Sequence, residues 1–164
     1  MGEVIGEVSF YVNRKLSGYS SLTAPTNKLD TNVFEIKVPI KTLDTLVIAN
    51  DVDVIKIDVE GAELGVLRGS LNLLNRCRPT IMFESAPPSD DDIGYTKEAL
   101  FDFLTSNGFV LVVPNRVAHN GPGLTREGFI ESHLYPRRTT NYFAIPLERR
   151  MEIRDKARSI LRIS

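Results

Sequence analysis

One cysteine, no tryptophan and no long apolar run set the first limits on this 164-residue chain. Cys77 alone can build neither a disulfide framework nor a thiolate zinc site, and a reducing cytoplasm is the expected compartment. Two histidines far apart in sequence carry no metal signature, so no metal ligand set is expected. No stretch approaches the roughly 18 apolar residues that a membrane span requires. The opening MGEVIGEVSF lacks the basic and apolar regions of a secretory leader, and Gly6 stands where a myristoylation signal wants Ser or Thr. A formal net charge of -1 supplies no basic field for nucleic acid and no acidic excess for disorder.

What is present reads as one ordinary globular domain, with 42% hydrophobic and 25% charged residues, enough to close a core. The charge is uneven, because six basic residues stand against three acids from Glu148 onward. Residues 1–147 therefore read as the domain and 148–164 as a basic helical tail. Met151, Ile153, Ala157, Ile160 and Leu161 give that tail an imperfect apolar stripe. Its charged side reads as a solvated face, with a phosphate-bearing or membrane-surface partner as the minority alternative.

Val8, Phe10 and Val12 alternate with polar neighbours, as do Phe34, Ile36, Val38 and Ile40, which predicts an antiparallel pair with one wet face. Pro39 restricts the second of these strands to an edge or an end. Thr42 is the candidate N-cap of a short helix, with Asp44 in its first turn. Next comes VIKI with its polar continuation, then AELGVLRGSLNLLNR with Leu64, Leu67, Leu71 and Leu74 at helical spacing. Pro79 stops that helix, and Cys77 beside it reads as buried filler. TIMFE is a strand, TKEALFDFLTSNG a helix with Thr96 as cap and Asn107-Gly108 as stop, and FVLVV a strand buried on both faces. A long segment containing TREGFIESH, a helical turn or two, precedes the last strand, NYFAI. Strands alternating with helices predict an α/β fold with a mostly parallel sheet, the last strand antiparallel, beside the N-terminal antiparallel pair.

The stretch VIKIDVEGAE carries the chemistry. Residues two apart share a strand face, so Lys56, Asp58 and Glu60 point one way and Ile55, Ile57 and Val59 the other. Ligands of open α/β sheets sit beyond the carboxyl ends of the strands, where Asp58 and Glu60 lie and Gly61 permits a tight turn. Glu84, at the carboxyl end of the next strand, is placed to face the same crevice. The plain alternative is a structural ion pair of Lys56 with Asp58 or Glu60, and Glu63 reads as a helix-start charge.

VDVIKIDVEGAELGVLRGSLNLLNRCRPTIMFES resembles the FkbM family of S-adenosylmethionine-dependent methyltransferases. GEVSFYV, SGYSSL and VPIKTLDTL upstream, and NGFVLVV and NYFAIP downstream, extend the likeness over 6–146. The resemblance implies a Rossmann-like class I methyltransferase sheet and methyl transfer from S-adenosylmethionine to a hydroxyl oxygen of a small molecule or sugar. It implies Asp58 and Glu60 as catalytic carboxylates tuned by Lys56, and Asp58 with Gly61 at the cofactor. Glu84 and His133 fall on the acceptor side. Mutual repulsion of two carboxylates on one face raises at least one pKa toward a useful range. The family's fold binds its cofactor at a glycine-rich turn after the first core strand, and no Gly-x-Gly follows a strand here. The expectation is the C-terminal portion of such an enzyme, a partial sheet with an open edge that a second copy or partner chain covers.

Two other readings compete. One is a non-catalytic module that packs on a partner chain. The other is an enzyme holding a hard divalent cation between Asp58, Glu60 and Glu84. His133 reads as a solvated loop histidine or a base delivered over the crevice. His119 is weaker still, and residues 18–22 (GYSSL) read equally as a substrate-side loop or a plain Ser/Gly turn.

Overall fold

The computed structural model describes residues 1–15, 22, 24, 32–59, 61–86, 95–134 and 139–163. Of the expected substrate-side loop, residues 18–21 lie outside the described residues, and so does Glu60.

The first two alternating segments form strands β1 (Gly6–Asn13) and β2 (Val33–Ile40), paired antiparallel with Val8 opposite Val38, Phe10 opposite Ile36 and Val12 opposite Phe34. Period-2 alternation in that register collects the apolar side chains on one face of the ribbon. The other face carries Ser9, Glu35 and Lys37, joined by hydrogen bonds from Ser9 Oγ to Glu35 and from Lys37 to Ser9. Pro39 is accommodated one residue before β2 ends.

The second sheet contains β3 (Val54–Ile57), β4 (Thr80–Glu84), β5 (Phe109–Val112) and β6 (Asn141–Pro146), in the order β3-β4-β6-β5. β3 and β4 are parallel, while β6 runs antiparallel to both β4 and β5. Three strands therefore point one way, and the last strand, antiparallel as expected, is inserted between two of them. The architecture is mixed α/β, with a two-stranded antiparallel pair and a four-stranded mixed sheet.

Helices α2 (Glu63–Arg68), α3 (Leu71–Cys77), α4 (Lys97–Ser106) and α5 (Arg126–Ser132) supply the partners of one sheet face. The sheet residues of the core are Ile57, Ile81, Phe83, Phe109, Leu111, Tyr142 and Ala144, packed with Leu64, Leu67, Leu73, Leu74, Leu100, Leu104 and Phe129. The ladder register places all seven sheet positions on the same face. Each large apolar side chain closed there contributes about 1.5–3 kcal/mol. The opposite face is buried over β5 and β6, where Val112 and Ile145 are closed off and α6 (Arg150–Leu161) packs against β6, and at Thr80 where β4 begins. Over β3 that face stays open, with Val54 64% exposed.

Local signals explain most boundaries. Thr42 caps α1 (Leu43–Leu46) by accepting from Thr45 N–H, Thr96 caps α4 at Ala99 N–H, and Thr125 caps α5 at Gly128 N–H. Gly108, with φ +77°, gives the left-handed stop after α4. The expected single helix after β3 is instead two, broken at Gly69 and Ser70. A Cβ on Gly69 would stand 2.1 Å from Gly2 O, so the N-terminal segment lies directly against the break. The second helix is then capped from elsewhere: Asp44 accepts from Asn72 N–H at 3.0 Å and Leu73 N–H at 2.8 Å. Cys77 is half-buried against the core rather than fully enclosed.

Candidate active site

β3 and β4 run parallel with Ile57 opposite Phe83, so Asp58 and Glu84 are each the next residue beyond that pair, at the carboxyl edge of the sheet. Alternation turns both toward the face that the core leaves open, the same face as Lys56 and Met82. Lys56 Nζ lies 2.6 Å from Asp58 Oδ2, and the two side chains are 57% and 42% exposed. The ion pair expected from the alternation is therefore formed. Among the described residues nothing hydrogen-bonds the carboxylate of the half-buried Glu84.

The turn after β3 depends on Gly61, whose φ of +93° a side chain would strain. Gly61 N–H donates to Glu63 Oε1 at 3.0 Å. Glu63 is only 4% exposed, so it is more than a helix-start charge. It folds back as the internal tie of the turn that follows Asp58.

On the core side of the same edge lies His133, which the sequence reading placed elsewhere. His133 is neither a solvated loop residue nor suspended over the crevice. It ends α5, is 3% exposed, and lies stacked on Tyr142 with its edge against Phe129. Its Nδ1 lies 2.8 Å from Phe129 O and its Nε2 2.9 Å from Ser85 Oγ. Ser85 directly follows Glu84 and is itself buried. Beside them Ser132 Oγ and Tyr142 Oη are 2.7 Å apart. Burial pushes the Tyr142 phenol up, and the Ser132 hydrogen bond partly offsets it. The helical spacing of Phe129 and His133, four residues apart, was the available signal, since it puts both on one face.

At the carboxyl end of β5 the chain turns through Pro114–Arg116. Val113, Pro114, Asn115, Arg116 and Thr139 line a cleft of about 610 Å³ there. The following loop is held by the basic tail, whose charged side is therefore not simply solvated. Arg150 donates to Val117 O and His119 O at 2.8 Å each and to Arg116 O at 3.3 Å. Arg158 donates to Ala118 O at 2.9 Å, and Arg154 to Asn120 Oδ1 at 2.6 Å. Burial, then the nearby Arg154 charge, lowers the Arg150 pKa. His119 is exposed and takes part through its main-chain carbonyl.

Among the described residues no three His, Cys, Asp or Glu side chains stand close enough to hold a metal ion. No described helix is long and apolar enough to cross a membrane.

A family model for the methyltransferase FkbM domain matches residues 2–111. The match takes in the β1–β2 ribbon, β3, β4 and α1–α4, and stops within β5, before the Pro114–Arg116 turn, α5 and α6. No curated protein and no solved structure matches the chain.

Proposed function

This chain belongs to the FkbM methyltransferase family, and we propose that it transfers a methyl group from S-adenosylmethionine to a hydroxyl oxygen of a small molecule or sugar. The observation that carries the site is the placement of Asp58 and Glu84 side by side at the carboxyl edge of two parallel strands, on the open face. The strand order β3-β4-β6-β5, with the antiparallel strand inserted, supports a Rossmann-like sheet whose ligands gather at that edge.

The donor set suits the cofactor's charge. A sulfonium and an α-ammonium are both cations, and the open edge offers two carboxylates. Asp58 and the Gly61 turn would hold the cofactor, which supplies an electrophilic methyl carbon when bound. Only Gly61, with no Cβ and φ +93°, lets a ligand approach the main chain there.

The chain's own residues then position and deprotonate the acceptor. Lys56 fixes Asp58 through Oδ2, which leaves Oδ1 to receive the hydroxyl proton as the oxygen–carbon bond forms. Glu84 accepts a hydrogen bond from the acceptor and orients it. Ser85 and His133 hold the main chain directly behind Glu84, so the acceptor side is positioned by a buried contact. Orientation of two bound reactants contributes much of such a rate enhancement.

Calorimetry with S-adenosylmethionine tests this reading. Saturable binding that weakens in Asp58→Asn is the expected result. No heat with either S-adenosylmethionine or S-adenosylhomocysteine would overturn it.

A further inference from the structure

Arg116 is the observation that methyl transfer itself does not use. It lines the cleft of about 610 Å³ at the carboxyl end of β5, a volume in the range of small-molecule pockets. Among the described residues its guanidinium meets no carboxylate, carbonyl or ring. Apart from Arg162 in the last turn of the chain, every other described arginine has such a partner. Asn115, beside it on the cleft wall, also has no side-chain hydrogen bond from a described residue. No carboxylate appears among the described lining residues, which are Val113, Pro114, Asn115, Arg116 and Thr139.

An exposed arginine is ordinarily just solvated, but the main chain that carries this one is held in place. Three donor contacts from Arg150 grip the carbonyls of residues 116, 117 and 119, and Arg158 holds the next one, Ala118 O. The far end of the loop is clamped on β5 by Leu124 N–H to Leu111 O at 2.7 Å. A Cβ on Gly123 would come within 2.3 Å of Val110 Cγ1, so the loop lies directly on the strand. These bonds fix the main chain of Arg116 and bring the Arg150 and Arg158 guanidinium groups onto the carbonyls of its loop. A guanidinium fork on a fixed main chain, beside the Asn115 side-chain amide, is the arrangement that recognises a planar or tetrahedral oxyanion.

The position sets the ligand's size. β5 ends at the same sheet edge as β4, with β6 between them, so two strand spacings, about 10 Å, separate Glu84 from the β5 end. We infer that the Asn115–Arg116 cleft binds an oxyanion, a phosphate ester or carboxylate, carried by the methyl acceptor about 10 Å from its reacting hydroxyl. The acceptor is then a charged sugar derivative rather than a neutral one. The term acceptor rests on the methyl-transfer reading; the anion site does not.

The test is a titration of the full ¹⁵N-labelled chain with inorganic phosphate, and separately with acetate, at constant ionic strength, followed on the arginine Nε–H and main-chain resonances. The Arg116 Nε–H resonance and the main-chain amides of Asn115 and Arg116 are expected to shift saturably with at least one of the two anions. In Arg116→Ala the shifts of the remaining amides weaken by about tenfold or more, while Arg162→Ala binds as wild type does. A response to phosphate alone assigns a phosphate ester, to acetate alone a carboxylate, and both outcomes support the site. Equal shifts in wild type and Arg116→Ala, or parallel drift of Arg116 and Arg162, would overturn it. Because no cofactor is present, a chain that binds phosphate here yet ignores S-adenosylmethionine would sink the methyl-transfer reading and leave the anion site standing.

Discussion

His133 Nε2 and Ser85 Oγ lie 2.9 Å apart, both buried, and join the end of α5 to the residue that follows Glu84. The Phe129 carbonyl opposite Nδ1 can only accept, so Nδ1 carries a ring proton, and Nε2 shares a hydrogen bond with the Ser85 hydroxyl. A carboxylate proposed to orient the acceptor thus stands on main chain fixed from the core side.

The first consequence concerns stability. His133→Ala removes two ring contacts and leaves the Ser85 hydroxyl buried without its partner, and a loss of about 2–4 kcal/mol is expected in urea unfolding. Ser85→Ala removes only one side of the pair and should cost about 1–2 kcal/mol. The double variant is expected to cost less than the two single losses together, because both delete the same bond. Strict additivity would show that the contact carries no coupling.

Lys56 and Asp58 are predicted to separate function from folding. The pair is short but half in solvent, so neutralising either partner should change unfolding free energy by no more than about 1 kcal/mol. Asp58→Asn should nevertheless lower methyl transfer by about a hundredfold, by loss of the proton acceptor. Lys56→Met is expected to be milder, about tenfold, since it frees the carboxylate to rotate without removing it. Unchanged turnover in both variants, with S-adenosylmethionine bound, would reduce the strand charges to an ordinary surface ion pair.

Acid titration should expose the anchoring of α6. Hydrogen bonds from Arg149 and then Lys156 lower the Glu152 carboxyl from 4.5 to about 2. A carboxylate depressed in the fold contributes stability above its unfolded pKa and loses it as pH falls through the folded value. The window is therefore pH 4.5 down to about 2. Glu148, lowered chiefly by the Arg78 hydrogen bond, acts in the same direction. Unfolding curves of wild type and Glu152→Gln should differ at neutral pH and converge as pH approaches the bottom of that window. A difference that persists at the lowest pH would mean that Glu152 acts through something other than its charge.

Much of this was legible in the chain because the signals were local. Alternation located β1, β2 and the β3 faces, threonine caps located the helix starts, and the two-residue spacing put Lys56 against Asp58. Long-range facts were not legible. Nothing in AELGVLRGSLNLLNR shows that Gly2 O will occupy the space beside Gly69, or that Asp44 will cap α3 across 28 residues. The tail arginines read as a solvated face because charge and periodicity do not reveal main-chain carbonyls left open by a distant loop. His133 was misplaced for a different reason: the periodic signal was there, but a histidine within the long segment before the last strand was read as loop. Glu63 was likewise identified as a helix-start residue without its burial or its bond to Gly61 being visible.

The break at Gly69 gives the sharpest structural prediction. Gly2 O would stand 2.1 Å and Gly2 C 3.1 Å from an added Cβ, and these are backbone atoms that no rotamer change can move aside. The N-terminal segment is also tied by Glu3, which takes a hydrogen bond from the Tyr95 hydroxyl at 2.9 Å and pairs with Arg68 at 3.3 Å. Those two ties, the Tyr95 hydrogen bond first, lower the Glu3 carboxyl. Gly69→Ala should therefore push residues 1–5 off α2 and break the Glu3 contacts, while Leu67, Leu73 and Leu74 stay packed. The expected loss is about 1–3 kcal/mol, with faster amide exchange in the N-terminal segment and unchanged protection in β4. In a background lacking residues 1–5 only the Thr42 Cβ, 3.3 Å from the added methyl, still crowds it, and Gly69→Ala should then cost much less. If the substitution costs the same with and without that segment, the break belongs to the helices themselves and not to the N-terminal segment laid against them.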